Sequence, residues 1–278
     1  MSLPKAAVVG GGATVLTAGT SYGIYNAVSS DSMPVNFVVL SKDSTTFDGD
    51  TKIGNLYGDY LISPFGKDKN NNQKWWEWSF RRWQEDEKGT KRTLSSSFAK
   101  DKIKSGYQPE SKTTEDEQKS LNKVCKNVYE KTKTDITKEN SDSNNDKENL
   151  RNDLWKYCSF FRETPKSIDE VEAKDYSVAD TYGKKYASKL VGIKGNDTFW
   201  ETRNKEFFEE VGKTSSILDA TNDSLFKKLF DSKGGENKGN IRETCKAAYF
   251  LKETKEDNKL AATKDNVFKF CSLERKAS

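Results

Sequence analysis

Leu154-Trp155-Lys156-Tyr157-Cys158-Ser159 and Val267-Phe268-Lys269-Phe270-Cys271-Ser272 read as one hexapeptide written twice: aliphatic, aromatic, lysine, aromatic, cysteine, serine. Upstream of each stands a second matching stretch, Cys125-Lys126-x-x-Tyr129 and Cys245-Lys246-x-x-Tyr249. Further back Trp76 answers Trp200, and Tyr57-Gly58-Asp59-Tyr60 aligns with Tyr182-Gly183-Lys184-Lys185-Tyr186. No single match is unusual, but four in the same order argue for two diverged copies of one module. The copies differ in length where the first carries an extra polar loop over residues 135–147.

Both copies read as helical. Thr114-x-x-Glu117 and Thr198-x-x-Glu201 are candidate capping boxes, in which each side chain satisfies the other residue's exposed amide. Leu121, Val124, Cys125, Val128 and Tyr129 form an apolar stripe at helical spacing, as do Ile241, Cys245, Ala248 and Tyr249. Trp200, Phe207, Phe208 and Val211 line another helix, and three to five helices are expected per copy. Residues 35–40 alternate weakly and are the one strand candidate. Pro165 and the charged run after it suit a linker, although Ser167-x-x-Glu170 also has the form of a cap. The expected division is a linker over 32–46, a first module over 47–164, a linker over 165–175 and a second module over 176–278.

Residues 6–30 carry no charge, and the apolar stretch 6–28 has the roughly 20 residues needed to cross a bilayer. Tyr22 and Tyr25 sit near its end as interfacial aromatics do, and Lys5 places the N-terminus inside. A signal peptide fits the same features, and either reading exports the rest of the chain. Val8-Val9-Gly10-Gly11-Gly12 resembles the opening of a dinucleotide fold, but Val15 falls where the third glycine belongs. The expected fold class is therefore mainly α: residues 1–31 form a transmembrane helix or uncleaved signal, followed by two tandem small helical modules. Single-pass attachment to the cell membrane through residues 6–28, with the bulk of the chain extracellular, follows from it.

Composition narrows the chemistry. Among 278 residues there is no histidine, which removes Ser–His and Cys–His nucleophiles, His-containing zinc sites and His-ligated haem together. No catalysis, metal or cofactor is expected. The 47 basic and 43 acidic residues are interleaved and leave a net charge of only +4, without the basic stripe of a nucleic-acid binder. Asp142-x-Asn144-x-Asp146 opens like a calcium loop, but Lys147 stands where glycine is needed. The 6 Trp, 11 Tyr and 15 Phe supply core burial that the low aliphatic content does not.

Two groups of residues remain as candidates. The four cysteines fall two per copy, with 33 residues between Cys125 and Cys158 and 26 between Cys245 and Cys271. In an exported protein this pattern favours one disulfide per copy, with four buried reduced cysteines as the alternative. The run Trp75-Trp76-Glu77-Trp78-Ser79-Phe80-Arg81-Arg82-Trp83 is the densest aromatic feature. On a helix Trp76, Phe80 and Trp83 share a face and read as core. That leaves Trp75, Trp78 and Arg82 as candidate ligand-contact residues, since exposed Trp and Arg are typical interface anchors.

The Met-Ser start, the glycine-rich N-terminal segment, the tryptophan-bearing helix and the module ending in aromatic-Lys-aromatic-Cys-Ser resemble the large paralogous families of uncharacterised surface proteins in haemotropic mycoplasmas. Tyr157 and Phe270 depart from that pattern, standing where tryptophan is expected before the cysteine. The resemblance implies a surface location, with a host-cell surface component as partner or a role in antigenic variation, and carries no catalytic residues. The competing function is a secreted, carboxylate-dependent hydrolase acting on glycans, with copy-one tryptophans as sugar platforms.

Overall fold

The computed structural model describes residues 32–68, 71–90, 92–137, 145–210, 225–232, 235, 239–253 and 261–275. The chain is mainly helical, and pairing between extended segments is limited, among the described residues, to isolated bridges. It divides into two compact units, one ending at Phe160 and one spanning Phe161–Ser278. The first contains α1 (Ile53–Tyr57), α2 (Gln73–Lys88), α3 (Glu115–Gln118), α4 (Leu121–Tyr129) and α5 (Asp146–Tyr157). The second contains α6 (Ile168–Val171), α7 (Tyr182–Lys185), α8 (Asp197–Glu210), α9 (Leu225–Asp231), α10 (Ile241–Tyr249) and α11 (Lys264–Cys271).

In the first unit α4 is the central element. Its apolar stripe, Leu121, Val124, Cys125, Val128 and Tyr129, is buried throughout, and it packs against α1, α2 and α5. The corresponding stripe of α10, Ile241, Cys245, Ala248 and Tyr249, is buried in the same way. The 3.6-residue period puts these side chains on one side, so burying that side is what holds such short helices in place. The Thr114–Glu117 capping box forms at α3 and the Ser167–Glu170 box at α6. The Thr198 box does not form, because α8 already begins at Asp197.

Extended segments tie each unit's entry to its exit. In the first, Val39 bridges Ile62 and Leu61 bridges Ser159. The Leu40 amide donates to the Leu61 carbonyl at 2.8 Å and the Ile62 amide to the Cys158 carbonyl at 2.9 Å. In the second, Ser167 bridges Val191 and Leu190 bridges Ser272. There the Ile168 amide donates to Leu190 at 3.0 Å and the Val191 amide to Cys271 at 2.9 Å. The stretches 32–46 and 165–175, expected as linkers, are thus parts of the units. Phe37, Val38, Val39 and Leu40 are buried, as is Ile168, and a buried backbone must find hydrogen-bond partners. Residues 35–40 form no strand beyond the Val39 bridge and run directly into a short 3-10 turn, Leu40–Lys42.

Among the described residues no helix is long and apolar enough to cross a membrane. The stretch 6–28, with Tyr22 and Tyr25, lies outside the described residues, as do Asp142, Asn144 and Val211.

Candidate functional site

Each unit is organised around a disulfide. Cys125 at the middle of α4 pairs with Cys158 at the end of α5, and Cys245 of α10 with Cys271 of α11, both with Cα–Cα 5.8 Å. All four cysteines are fully buried. One helical turn after the first cysteine of each pair stands a buried tyrosine. The Tyr129 hydroxyl donates to the carbonyls of Ile62 (2.9 Å) and Cys158 (3.0 Å). That of Tyr249 donates to Val191 (2.7 Å) and Cys271 (3.4 Å). Burial pushes both hydroxyls far above the ordinary tyrosine range.

An aromatic ring lies edge-on to each tyrosine: Phe47 to Tyr129 at 6.3 Å and Tyr176 to Tyr249 at 5.4 Å between centroids. Each ring covers a glycine. A Cβ on Gly54 would come 2.4 Å from the Phe47 ring, and one on Gly183 would come 2.8 Å from that of Tyr176. The Ile53 amide donates to Lys131 and the Tyr182 amide to Leu251, both at 2.9 Å. Gly54 and Tyr57 therefore occupy the places of Gly183 and Tyr186, correcting the alignment of Tyr57 with Tyr182. Tyr57 sits 5.3 Å from Trp155 and Tyr186 4.9 Å from Phe268, both edge-on. The sequence comparison matched a Tyr-Gly pair of letters; the packing instead matches a glycine and the tyrosine three residues later.

Two further residues escaped the sequence reading. Asn72 and Asn196, each just before an aromatic helix, both adopt the left-handed conformation with φ of 56°. Asn72 accepts from the Val38 amide (2.8 Å) and donates to the carbonyls of Val38 and Ser63 (2.8 Å each). Asn196 accepts from Lys166 (2.8 Å) and donates to Lys166 (3.0 Å) and Gly192 (2.9 Å). The indole N–H of Trp76 donates to that same Ser63 carbonyl (3.1 Å), and the Trp200 indole to that of Gly192 (2.9 Å). The available signal was an asparagine four residues before each matched tryptophan, at a position where asparagine tolerates positive φ.

The candidate ligand-contact residues do not form a surface platform. Trp75 and Trp78 are buried, at 0% and 4% exposure, alongside Trp76 and Trp83. Trp75 lies edge-on to Trp76 at 4.8 Å, as Phe199 does to Trp200 at 4.8 Å. The half-buried Arg82 guanidinium covers Trp78 at 4.7 Å and donates to the Lys156 carbonyl at 3.0 Å. α2 is covered on several sides. Ser79 donates to Tyr157 of α5 (2.8 Å), the Trp83 indole donates to Phe98 (2.9 Å), and Gly106 lies against Trp76 and Glu77. Lys74, Glu77, Arg81 and Glu85 form the stripe that faces solvent, so the tryptophans are buried on the remaining sides of the helix.

The carboxylates with perturbed ionisation also serve packing. Asp153 is wholly buried and accepts from Arg92, the Ser95 amide and the Ser95 hydroxyl, pinning the segment after α2 to α5. Burial raises its carboxyl above the usual range despite those donors. For Asp86 burial acts in the same direction, but hydrogen bonds from Lys156 and Tyr157 outweigh it and hold the group low. Both carboxylates are thus engaged by protein donors. A recess of about 220 Å³ is lined by Leu40, Ser41, Thr45, Asn55, Leu56 and Asp59. Among the described residues no group of histidine, cysteine, aspartate or glutamate could hold a metal ion. No protein-family model matches the sequence, and neither curated proteins nor solved structures give a match.

Proposed function

We propose that the chain is a membrane-anchored, surface-exposed protein built from two diverged copies of one helical module, serving host contact or antigenic variation without catalysis. The observation that carries this reading is the pairing of a common interior with dissimilar exteriors. Both units hold the same buried set: disulfide, tyrosine, glycine under a ring, left-handed asparagine and indole. Outside that set the corresponding stretches differ in sequence, as in the segments joining α2 to α4 and α8 to α10. A scaffold fixed from within by covalent and buried polar contacts tolerates free substitution on its surface.

Two disulfides in so small a chain also favour an oxidising compartment, because cytosolic thiols are kept reduced. The resemblance to haemotropic mycoplasma surface families points the same way. The tryptophans that a glycan hydrolase would stack on sugar are interior and the perturbed carboxylates are held by protein donors, which favours the surface-protein reading over that one. Protease treatment of intact cells should remove the chain beyond residue 31, while a cytosolic marker survives. Protection of that region until the cells are lysed rejects the export reading.

A further inference from the structure

Asp48 is the only aspartate in the chain followed by glycine. It lies in the turn leading from Phe47 to α1, and both Asp48 and Gly49 are exposed. Gly49 has φ of +99°, and no atom comes within 4 Å of where a Cβ on it would stand. Among the described residues the Asp48 carboxylate takes no hydrogen bond or ion pair, and the Gly49 amide donates to no acceptor. Asp43, by contrast, spends a carboxylate oxygen on the Thr45 amide at 2.6 Å. Asp153 is buried with three donors, and Asp146 accepts from the amide and hydroxyl of Ser96, each at 2.7 Å. An unengaged carboxyl next to an unengaged amide, with no side chain on the following residue, is the arrangement in which a backbone nitrogen reaches its neighbour's side-chain carbonyl carbon.

We propose that Asp48 is a site of spontaneous backbone modification, at which the Asp48–Gly49 linkage isomerises to isoaspartate in the folded protein. The Gly49 nitrogen attacks Cγ of Asp48; a C–N bond forms, and the carboxyl hydroxyl leaves with the amide proton as water. Water then adds to the former backbone carbonyl of the five-membered imide, whose bond to the Gly49 nitrogen breaks. The chain now runs through Cγ, one methylene longer, with no net change in atoms and no oxidant or cofactor.

The extra methylene falls where the unit is least able to absorb it. The Asn55 amide spans the carbonyls of Phe47 (2.7 Å) and Gly49 (2.9 Å), and the Lys52 amide donates to Gly49 (3.2 Å). Lengthening the backbone between those carbonyls breaks this clamp. It also loosens the Phe47 ring from Gly54 and Tyr129, the contact that closes the disulfide node on that side. Isomerisation would therefore act as a slow weakening of the first unit, with no counterpart at the corresponding turn of the second, where Ser177 follows Tyr176.

The test is to age the full chain at neutral pH and physiological temperature. Isoaspartate is then labelled by enzymatic methyl transfer and located by peptide mass spectrometry. The expected result is several-fold more label at residue 48 than at any other aspartate, with a lower unfolding midpoint in aged than in fresh protein. Asp48→Ser should show neither change. Aged folded protein without label at residue 48 overturns the proposal, including the case where label appears only in a sample held unfolded in urea. A midpoint that falls equally in the Asp48→Ser variant overturns the claimed effect on the Phe47 clamp.

Discussion

At the scale of single residues, two of the side chains that define the units, Asn72 and Asn196, are polar and stand outside the aromatic motifs. Asn72 supplies three hydrogen bonds from a left-handed backbone position and closes the entry segment onto the turn before α2. Replacing it with alanine orphans the Val38 amide, while the Val38 and Ser63 carbonyls keep the Ser63 amide and the Trp76 indole. At about 1–3 kcal/mol for a buried group left unsatisfied, Asn72→Ala should cost about 1–3 kcal/mol, and Asn196→Ala, which orphans the Lys166 amide, a similar amount. Urea titration of the variants checks this, and an unchanged midpoint would show that the clamp contributes nothing. In the sequence Asn72 closes the run Asn70-Asn71-Asn72 and reads as polar loop. Its role depends on Val38, 34 residues away, and no local pattern contains that.

At the scale of elements, the apolar stripes of α4 and α10 and the cysteine pairs were legible, whereas the environment of α2 was not. A stripe reports on one helix alone, and a covalent link requires only that two ends meet. The spacing of the aromatic run over 75–83 divides it into an inner and an outer face if the helix buries only one side. The structure covers α2 with α5 and with the segments around Phe98 and Gly106, so Trp75 and Trp78 became interior. Which segments return over a helix is settled by chain topology, which periodicity does not record. The staples between α4 and α5 and between α10 and α11 should each matter. Removing one pair, Cys125→Ser with Cys158→Ser or Cys245→Ser with Cys271→Ser, should cost about 2–4 kcal/mol. Thiol counting on the unfolded oxidised chain should find no free cysteine, and two or more would reject the pairing.

At the scale of the whole molecule, both units bury tyrosine hydroxyls as donors, and this sets the response to alkali. Burial pushes Tyr129 and Tyr249 far up, raises Tyr157 and Tyr176, and moves Tyr182 to about 12. A folded pKa above the unfolded value means the folded chain keeps a proton that the unfolded chain releases. This contribution is therefore complete below the ordinary tyrosine pKa near 10 and is lost as pH rises through the folded value. Phenolate absorbance should account for only part of the 11 tyrosines until a cooperative step above pH 10, coincident with loss of helical circular dichroism. Smooth titration of all of them, with the helices intact, would contradict the burial. The sequence by itself determined that the protein is mainly helical and where the buried stripes of α4 and α10 lie, because these follow from local periodicity; it favoured one disulfide per copy, and the structure brings Cys125 to Cys158 and Cys245 to Cys271. Only the tertiary structure decided that the stretches over 32–46 and 165–175 belong to the units, that Gly54 answers Gly183, and that the tryptophans face inward. Those outcomes depend on what packs across from a residue, and that partner comes from a distant part of the chain.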